Sequence, residues 1–87
     1  MGSYRVFLRS SVRRDLRHIP SVDVERIMER IAGLSNDPRP PGCEKLSLRE
    51  RYRIRQGDYR IIYSVDDADV TVWVVKIGHR RDACRQR

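Results

Sequence analysis

Tyr52-Arg53-Ile54-Arg55-Gln56-Gly57-Asp58-Tyr59-Arg60-Ile61-Ile62-Tyr63 alternates apolar and polar side chains up to a Gly-Asp pair and then resumes the alternation. A period of two is that of a strand with one face buried, and a two-residue turn with glycine first joins two such strands into a hairpin. That turn pairs Gln56 with Tyr59, Arg55 with Arg60, Ile54 with Ile61, Arg53 with Ile62 and Tyr52 with Tyr63. Three guanidinium groups then share one face. Like charges set opposite each other on a sheet are destabilising, so Arg55 facing Arg60 calls for an anion between them. The planar, permanently charged guanidinium suits phosphate, which makes a nucleic acid the first candidate ligand.

Upstream, residues 3–9 carry the β-branched and aromatic side chains of a short strand, after which Ser10 or Ser11 offers a helix N-cap. Val12, Leu16 and Ile19 recur at helical spacing and form one apolar stripe; Pro20 ends it. Ser21 offers the next cap, with Asp23 and Glu25 near the positive end of the helix dipole. Val24, Ile27, Met28, Ile31 and Leu34 give the second buried stripe. Asn36-Asp37-Pro38 stops that helix. A turn as short as Ile19-Pro20-Ser21 predicts a helical hairpin.

Downstream of a Pro-rich loop at 36–42, residues 44–50 have no clear periodicity. Asp66-Asp67-Ala68-Asp69 then turns the chain from the hairpin into a third strand, Val70 to Ile77. Pairing Val65 with Val70 puts Tyr52, Ile54, Tyr59, Ile61, Tyr63, Val70, Val72 and Val74 under the helices. Arg53, Arg55, Arg60, Ile62, Trp73, Val75 and Ile77 take the other face. Trp73 there is a base-stacking candidate, although a lone Trp in an apolar strand is more often core. The fold class is therefore α+β, ordered β-α-α-β-β-β, with a small antiparallel-rich twisted sheet and an N-terminal helical hairpin on one face.

The 87 residues make one domain, 1–87, with a formal net charge of +7 and 17 arginines to two lysines, Lys45 and Lys76. A genome rich in G and C favours arginine over lysine, but it does not set the sign of the charge, which favours an anionic partner. Cys43 and Cys84 are expected to be free thiols in a reducing cytoplasm. With only His18 and His79 to join them and no metal-ligand spacing, neither a metal site nor another cofactor is expected. No apolar run approaches a bilayer-spanning length of roughly 20 residues. The chain is expected to be soluble, unanchored and cytoplasmic.

The element order, the Tyr-Arg-Ile-Arg-x-Gly-Asp-Tyr-Arg-Ile-Ile-Tyr hairpin and the later Val-Lys-Ile-Gly-His-Arg-Arg-Asp together resemble the RelE/ParE superfamily of toxin-antitoxin toxins over nearly the whole chain. The closing Gly-His-Arg-Arg-Asp is more similar to the RelE branch, which cuts messenger RNA in the ribosomal A site. The ParE branch poisons DNA gyrase. The resemblance implies a type II toxin acting as a metal-independent endoribonuclease, in which a ribose 2′-hydroxyl attacks the adjacent phosphate. Its implied partners are a cognate antitoxin, in a toxin–antitoxin hetero-oligomer, together with the ribosome and messenger RNA.

By the same resemblance, Arg53 and Arg55 stand where relatives often place lysines that contact the substrate backbone and assist proton removal. Arg60 matches an arginine that stabilises the pentavalent phosphate, and Arg80 one assigned to the leaving group or to phosphate. Arg81, Arg85 and Arg87 on the tail are further phosphate contacts. Arginine is effectively never deprotonated, so the general base must be sought elsewhere. The tyrosine that many RelE toxins carry after the last arginine is replaced by Cys84, whose thiol could take a proton if Arg80, Arg81 and Arg85 depress its pKa. His79 is the other base candidate, titrating near neutrality beside Arg80. The sequence leaves open a gyrase inhibitor, a catalytically weakened RelE relative that only binds RNA, and a plain nucleic-acid-binding domain.

Overall fold

The computed structural model describes residues 3–46 and 50–79. In chain order the elements are β1 (Arg5–Leu8), α1 (Ser10–Arg17), α2 (Ser21–Gly33), β2 (Glu44–Leu46), β3 (Arg51–Gln56), β4 (Tyr59–Asp66) and β5 (Thr71–His79). They form one mixed sheet in the order β1-β5-β4-β3-β2, antiparallel except where β1 runs parallel to β5. The α+β architecture is the expected one. The addition is β2, which pairs with β3 through Glu44↔Arg53, Lys45↔Tyr52 and Leu46↔Arg51. Three residues without an apolar alternation give no periodicity to detect, so only the sheet edge defines this strand.

The β3–β4 register is the one read from the sequence, from Gln56↔Tyr59 through Arg55↔Arg60 to Tyr52↔Tyr63. Gly57 takes a left-handed φ of 61° while Asp58 does not, the signature of a turn with glycine in its first central position. Alternation then buries Tyr52, Ile54, Ile61, Tyr63 and Val65 on the helix side. Val12, Ile27, Ile31 and Leu34 meet them from α1 and α2. Full burial of side chains such as Ile61 contributes about 1.5–3 kcal/mol each.

Four expectations are corrected by geometry. The last turn occupies residues 67–70, so Val65 faces Val72 rather than Val70, and Val70 sits outside the strand, 40% exposed with a φ of 51°. A two-residue shift preserves the faces, which is why Val72 and Val74 are still buried. A bulge between Ile62 and Tyr63 then skips one residue of β5, and Ile77, expected on the outer face, becomes 4% exposed in the core. The helices also start without the serine caps: the N-cap residues are Arg9 and Pro20, neither with a side-chain cap bond. Met28 is 37% exposed, because the sheet beneath α2 reaches only the Ile27–Ile31–Leu34 side of its stripe.

Trp73 is not core. It stands on the outer face, 40% exposed, stacked on Phe7 with ring centroids 5.0 Å apart.

The candidate phosphate-binding face

The sheet face that the helices leave uncovered carries Arg53 and Arg55 from β3 and Arg60 from β4, each alternating with a buried neighbour. The hairpin register fixes Arg55 opposite Arg60 and sets Arg53 opposite Ile62. Arg60 is held closest to the sheet: its Nε is buried and has no hydrogen-bond partner among the described residues. Burying an unpaired guanidinium N–H is costly, so this Nε is a donor left without an acceptor among the described residues.

β2 brings a carboxylate to this face. Glu44 lies opposite Arg53, whose Nε donates to its Oε1 at 2.9 Å and whose terminal nitrogen donates to the same oxygen. The hydrogen bonds and charge of Arg53, reinforced at longer range by Arg55 and Arg60, hold the Glu44 carboxyl below the usual carboxylate range. One carboxylate thus faces three guanidinium groups, and its Oε2 is left aside by Arg53. Sequence reasoning missed Glu44 because the strand that aims it is not periodic. The available signal was an acid two residues after Gly42, ahead of the arginine-rich strand.

His79 is brought elsewhere. Past the bulge it pairs with Tyr59, on the helix side of the sheet, and meets that ring edge-on at 5.3 Å. Together with Asp15, His18, Ile19, Tyr59 and Ile77 it lines a cleft of about 380 Å³ between α1 and the sheet. Asp15 Oδ2 accepts the Ile77 N–H at 3.4 Å across the floor of that cleft. The sheet therefore separates His79 from the arginine face. Arg80, Arg81, Cys84, Arg85 and Arg87 lie outside the described residues. Cys43, a half-buried free thiol, lies near the Tyr63 hydroxyl, whose pKa is pushed up first by burial.

No group of three or more His, Cys, Asp or Glu side chains able to hold a metal occurs among the described residues. None of the described helices is long and apolar enough to cross a membrane. An open basic sheet face, fed by a hairpin and set opposite two covering helices, marks a small α+β protein with a candidate anion seat. Residues 6–84 match the family of the ParE toxin of the type II toxin-antitoxin system parDE, and the chain belongs to that family, within the RelE/ParE superfamily of toxins.

Among its relatives, toxin RelG of Mycobacterium tuberculosis is 32% identical over 95% of this chain and 98% of its own length. The RelE–RelB complex of Pyrococcus horikoshii superposes with a TM-score of 0.82 at 32% identity, covering 90% of this chain and 96% of that one. The RelBE2 toxin–antitoxin complex of M. tuberculosis gives 0.80 at 30% identity, covering 90% and 92%. The chain is a RelE-like toxin of the type II toxin-antitoxin class.

Proposed function

We propose that this toxin is a ribosome-dependent endoribonuclease that cuts messenger RNA in the A site, and that Arg53, Arg55 and Arg60 form its phosphate seat. The observation that carries the reading is the buried, unpartnered Nε of Arg60 inside a cluster of three guanidinium groups facing one carboxylate. A scissile phosphate placed there satisfies Arg60 and relieves the repulsion between Arg55 and Arg60. As the 2′-oxygen attacks, negative charge grows on the phosphate oxygens, and preformed guanidinium donors stabilise that charge more than the ground state.

The attacking 2′-hydroxyl must lose a proton, and no arginine takes it. Glu44 is the carboxylate that β2 brings to this face, ionised at neutral pH and with Oε2 open toward the substrate. We assign it the role of proton acceptor. The P–O bond to the 2′-oxygen forms, the bond to the 5′-oxygen breaks and that oxygen takes a proton from solvent water, so the products are a 2′,3′-cyclic phosphate and a 5′-hydroxyl. In this scheme Arg80, with Arg81, Arg85 and Arg87, serves the leaving group and the neighbouring phosphates from the tail. His79 faces the other side of the sheet and stands outside the reacting centre.

The two solved structures named above are toxin–antitoxin complexes, which supports a cognate antitoxin for this chain and a hetero-oligomer as its resting form. An acidic, amphipathic antitoxin segment would neutralise the arginine face by the same charge match that draws RNA. The proposed working place is the cytoplasm, where the ribosomes are. The family's description as ParE supports one rival, a gyrase-directed toxin on the same scaffold. Inducing the chain in bacteria separates the two. Translation arrest with messages cut inside codons is the expected result. Arrest of replication with DNA damage, and intact messages, would overturn it.

A further inference from the structure

Phe7, Trp73 and Arg9 form a cluster that the phosphate seat does not use. Phe7 and Trp73 are cross-strand partners in the parallel β1–β5 pair, and their rings stack at 5.0 Å with an interplanar angle of 28°. Both remain open to solvent, 42% and 40% exposed. The Arg9 guanidinium lies 5.8 Å from the Trp73 ring centroid. Large exposed aromatics on a sheet cost solvation, and a stacked pair flanked by a guanidinium combines the two elements that single-stranded nucleic acids use: a ring for a base and a cation for its phosphate.

Position supports this occupant. Trp73 pairs with Ser64, and Ser64 with Arg51, so the ring shares the uncovered face with Arg53, Arg55 and Arg60. Sheet spacing puts it two strands and two residues from Arg53, roughly 12 Å between Cα atoms. The path between them crosses Ile62 and Ser64, both half-buried, with no acidic side chain on it. A strand of RNA leaving the phosphate seat along the sheet meets the aromatic pair next.

We propose that Phe7, Trp73 and Arg9 form a second RNA subsite, which takes an unpaired nucleobase of the message flanking the cleaved phosphate by stacking and holds its backbone through Arg9. The subsite rests on the endoribonuclease reading for its ligand, but it acts on binding and not on the chemical step. Stacking tolerates any base, so the subsite adds affinity and direction to the strand without adding codon choice.

Trp73 is the chain's single tryptophan, so its fluorescence reports this subsite directly. The toxin is titrated with a short single-stranded oligonucleotide whose 2′-hydroxyls are methylated, which prevents cleavage. The expected result is saturable quenching of the Trp73 emission, with Trp73→Ala weakening binding of the same oligonucleotide roughly tenfold and Trp73→Phe much less. On ribosomes programmed with cleavable message, Trp73→Ala should raise KM and leave kcat unchanged. Arg60→Ala, in contrast, should lower kcat while Trp73 still quenches. Saturated binding with no change in Trp73 emission would overturn the subsite, as would equal affinity of Trp73→Ala and parent. Quenching by an acidic peptide but not by the oligonucleotide would overturn it too, assigning the patch to a protein. A toxin that cuts no message on programmed ribosomes yet binds the oligonucleotide through Trp73 would sink the catalytic reading and spare this one.

Discussion

A single arginine, Arg39, and the cluster of Arg53, Arg55 and Arg60 sit on different parts of the same hairpin, and they differ in how their charge is met. At one end, Arg39 from the Pro-rich loop donates from Nε to the Tyr52 hydroxyl at 2.9 Å and from both terminal nitrogens to Asp67 at 3.2 and 2.9 Å. Glu50 sits 3.6 Å away, the Tyr4 hydroxyl donates to Asp67 at 2.8 Å, and the Tyr52 ring lies under the guanidinium. Every feature there is satisfied within the protein, and the result is a brace that ties β1, the loop and the β4–β5 turn together. At the other end, Arg53, Arg55 and Arg60 share Glu44 between them. The residue type is the same, so the local supply of acceptors, and not residue identity, distinguishes the two sites.

The comparison breaks first at Arg60. Arg60→Ala should lower cleavage about 10²-fold or more, through loss of a donor that stabilises charge formed in the transition state. Its melting temperature should hold or rise, because the repulsion with Arg55 is relieved. Arg39→Ala should do the reverse, lowering the melting temperature and keeping the cleavage rate. A fully toxic Arg60→Ala protein would remove the phosphate seat from this face.

Glu44 sharpens the contrast, since it belongs to the undercompensated end and carries the proposed proton transfer. Glu44→Gln keeps the shape and should lower the rate at neutral pH about 10²-fold. The base must be deprotonated to act, and Arg53 holds Glu44 below its ordinary value of 4.5, so the parent's rate should be flat above about pH 5 on the acid side. A histidine base would instead place an acid limb near its ordinary pKa of about 6.5. Such a limb, lost in His79→Ala, would transfer the role to His79 despite its place across the sheet.

How much of this was legible follows from which features are periodic. The β3–β4 hairpin, its register and the arginine face come from alternation and a Gly-Asp turn, both local. The two helices come from apolar spacing. What escaped was set by contacts distant in sequence. The bulge opposite Ile62 and Tyr63 moved Ile77 into the core and His79 to the helix side. Three residues of β2 became a strand only because β3 offered an edge, and they delivered Glu44. Trp73 reads as core by composition and is exposed because the helices cover one face only. Arg39 gave no signal at all, since its partners lie 13 and 28 residues away in sequence.

The braced end also has a packing test. The Tyr63 hydroxyl, buried beneath the loop, donates to the Pro38 carbonyl at 2.7 Å. Tyr63→Phe should cost about 1 kcal/mol of stability, the worth of one buried hydrogen bond, with RNA cleavage unchanged. Truncating the core beside it, Ile61→Ala, should cost about 2–5 kcal/mol by opening a cavity. If Tyr63→Phe altered cleavage instead, the loop and the phosphate seat would be coupled and the two ends would not be independent.

The smallest expected effect separates the two sites by their acid response. Asp67 is held below its ordinary value of 3.8, chiefly by the Arg39 hydrogen bonds, and Glu50 below 4.5, chiefly by its Tyr52 hydrogen bond. A carboxyl with a depressed folded-state pKa binds protons more readily when unfolded. Its contribution is therefore complete above the ordinary value and is lost as pH falls through the lower folded one. Stability of the parent should decline as pH drops below about 4.5, where these carboxyls begin to titrate in the unfolded chain. Both carboxylates are exposed to solvent, so the decline should be gentle and weaken further with salt. Arg39→Ala removes the main cause at Asp67 and should flatten the curve there, whereas Arg53→Ala should flatten only the part belonging to Glu44. Melting temperatures measured from pH 3 to 7 for the three proteins test this, and identical slopes would show that neither ion pair persists in solution.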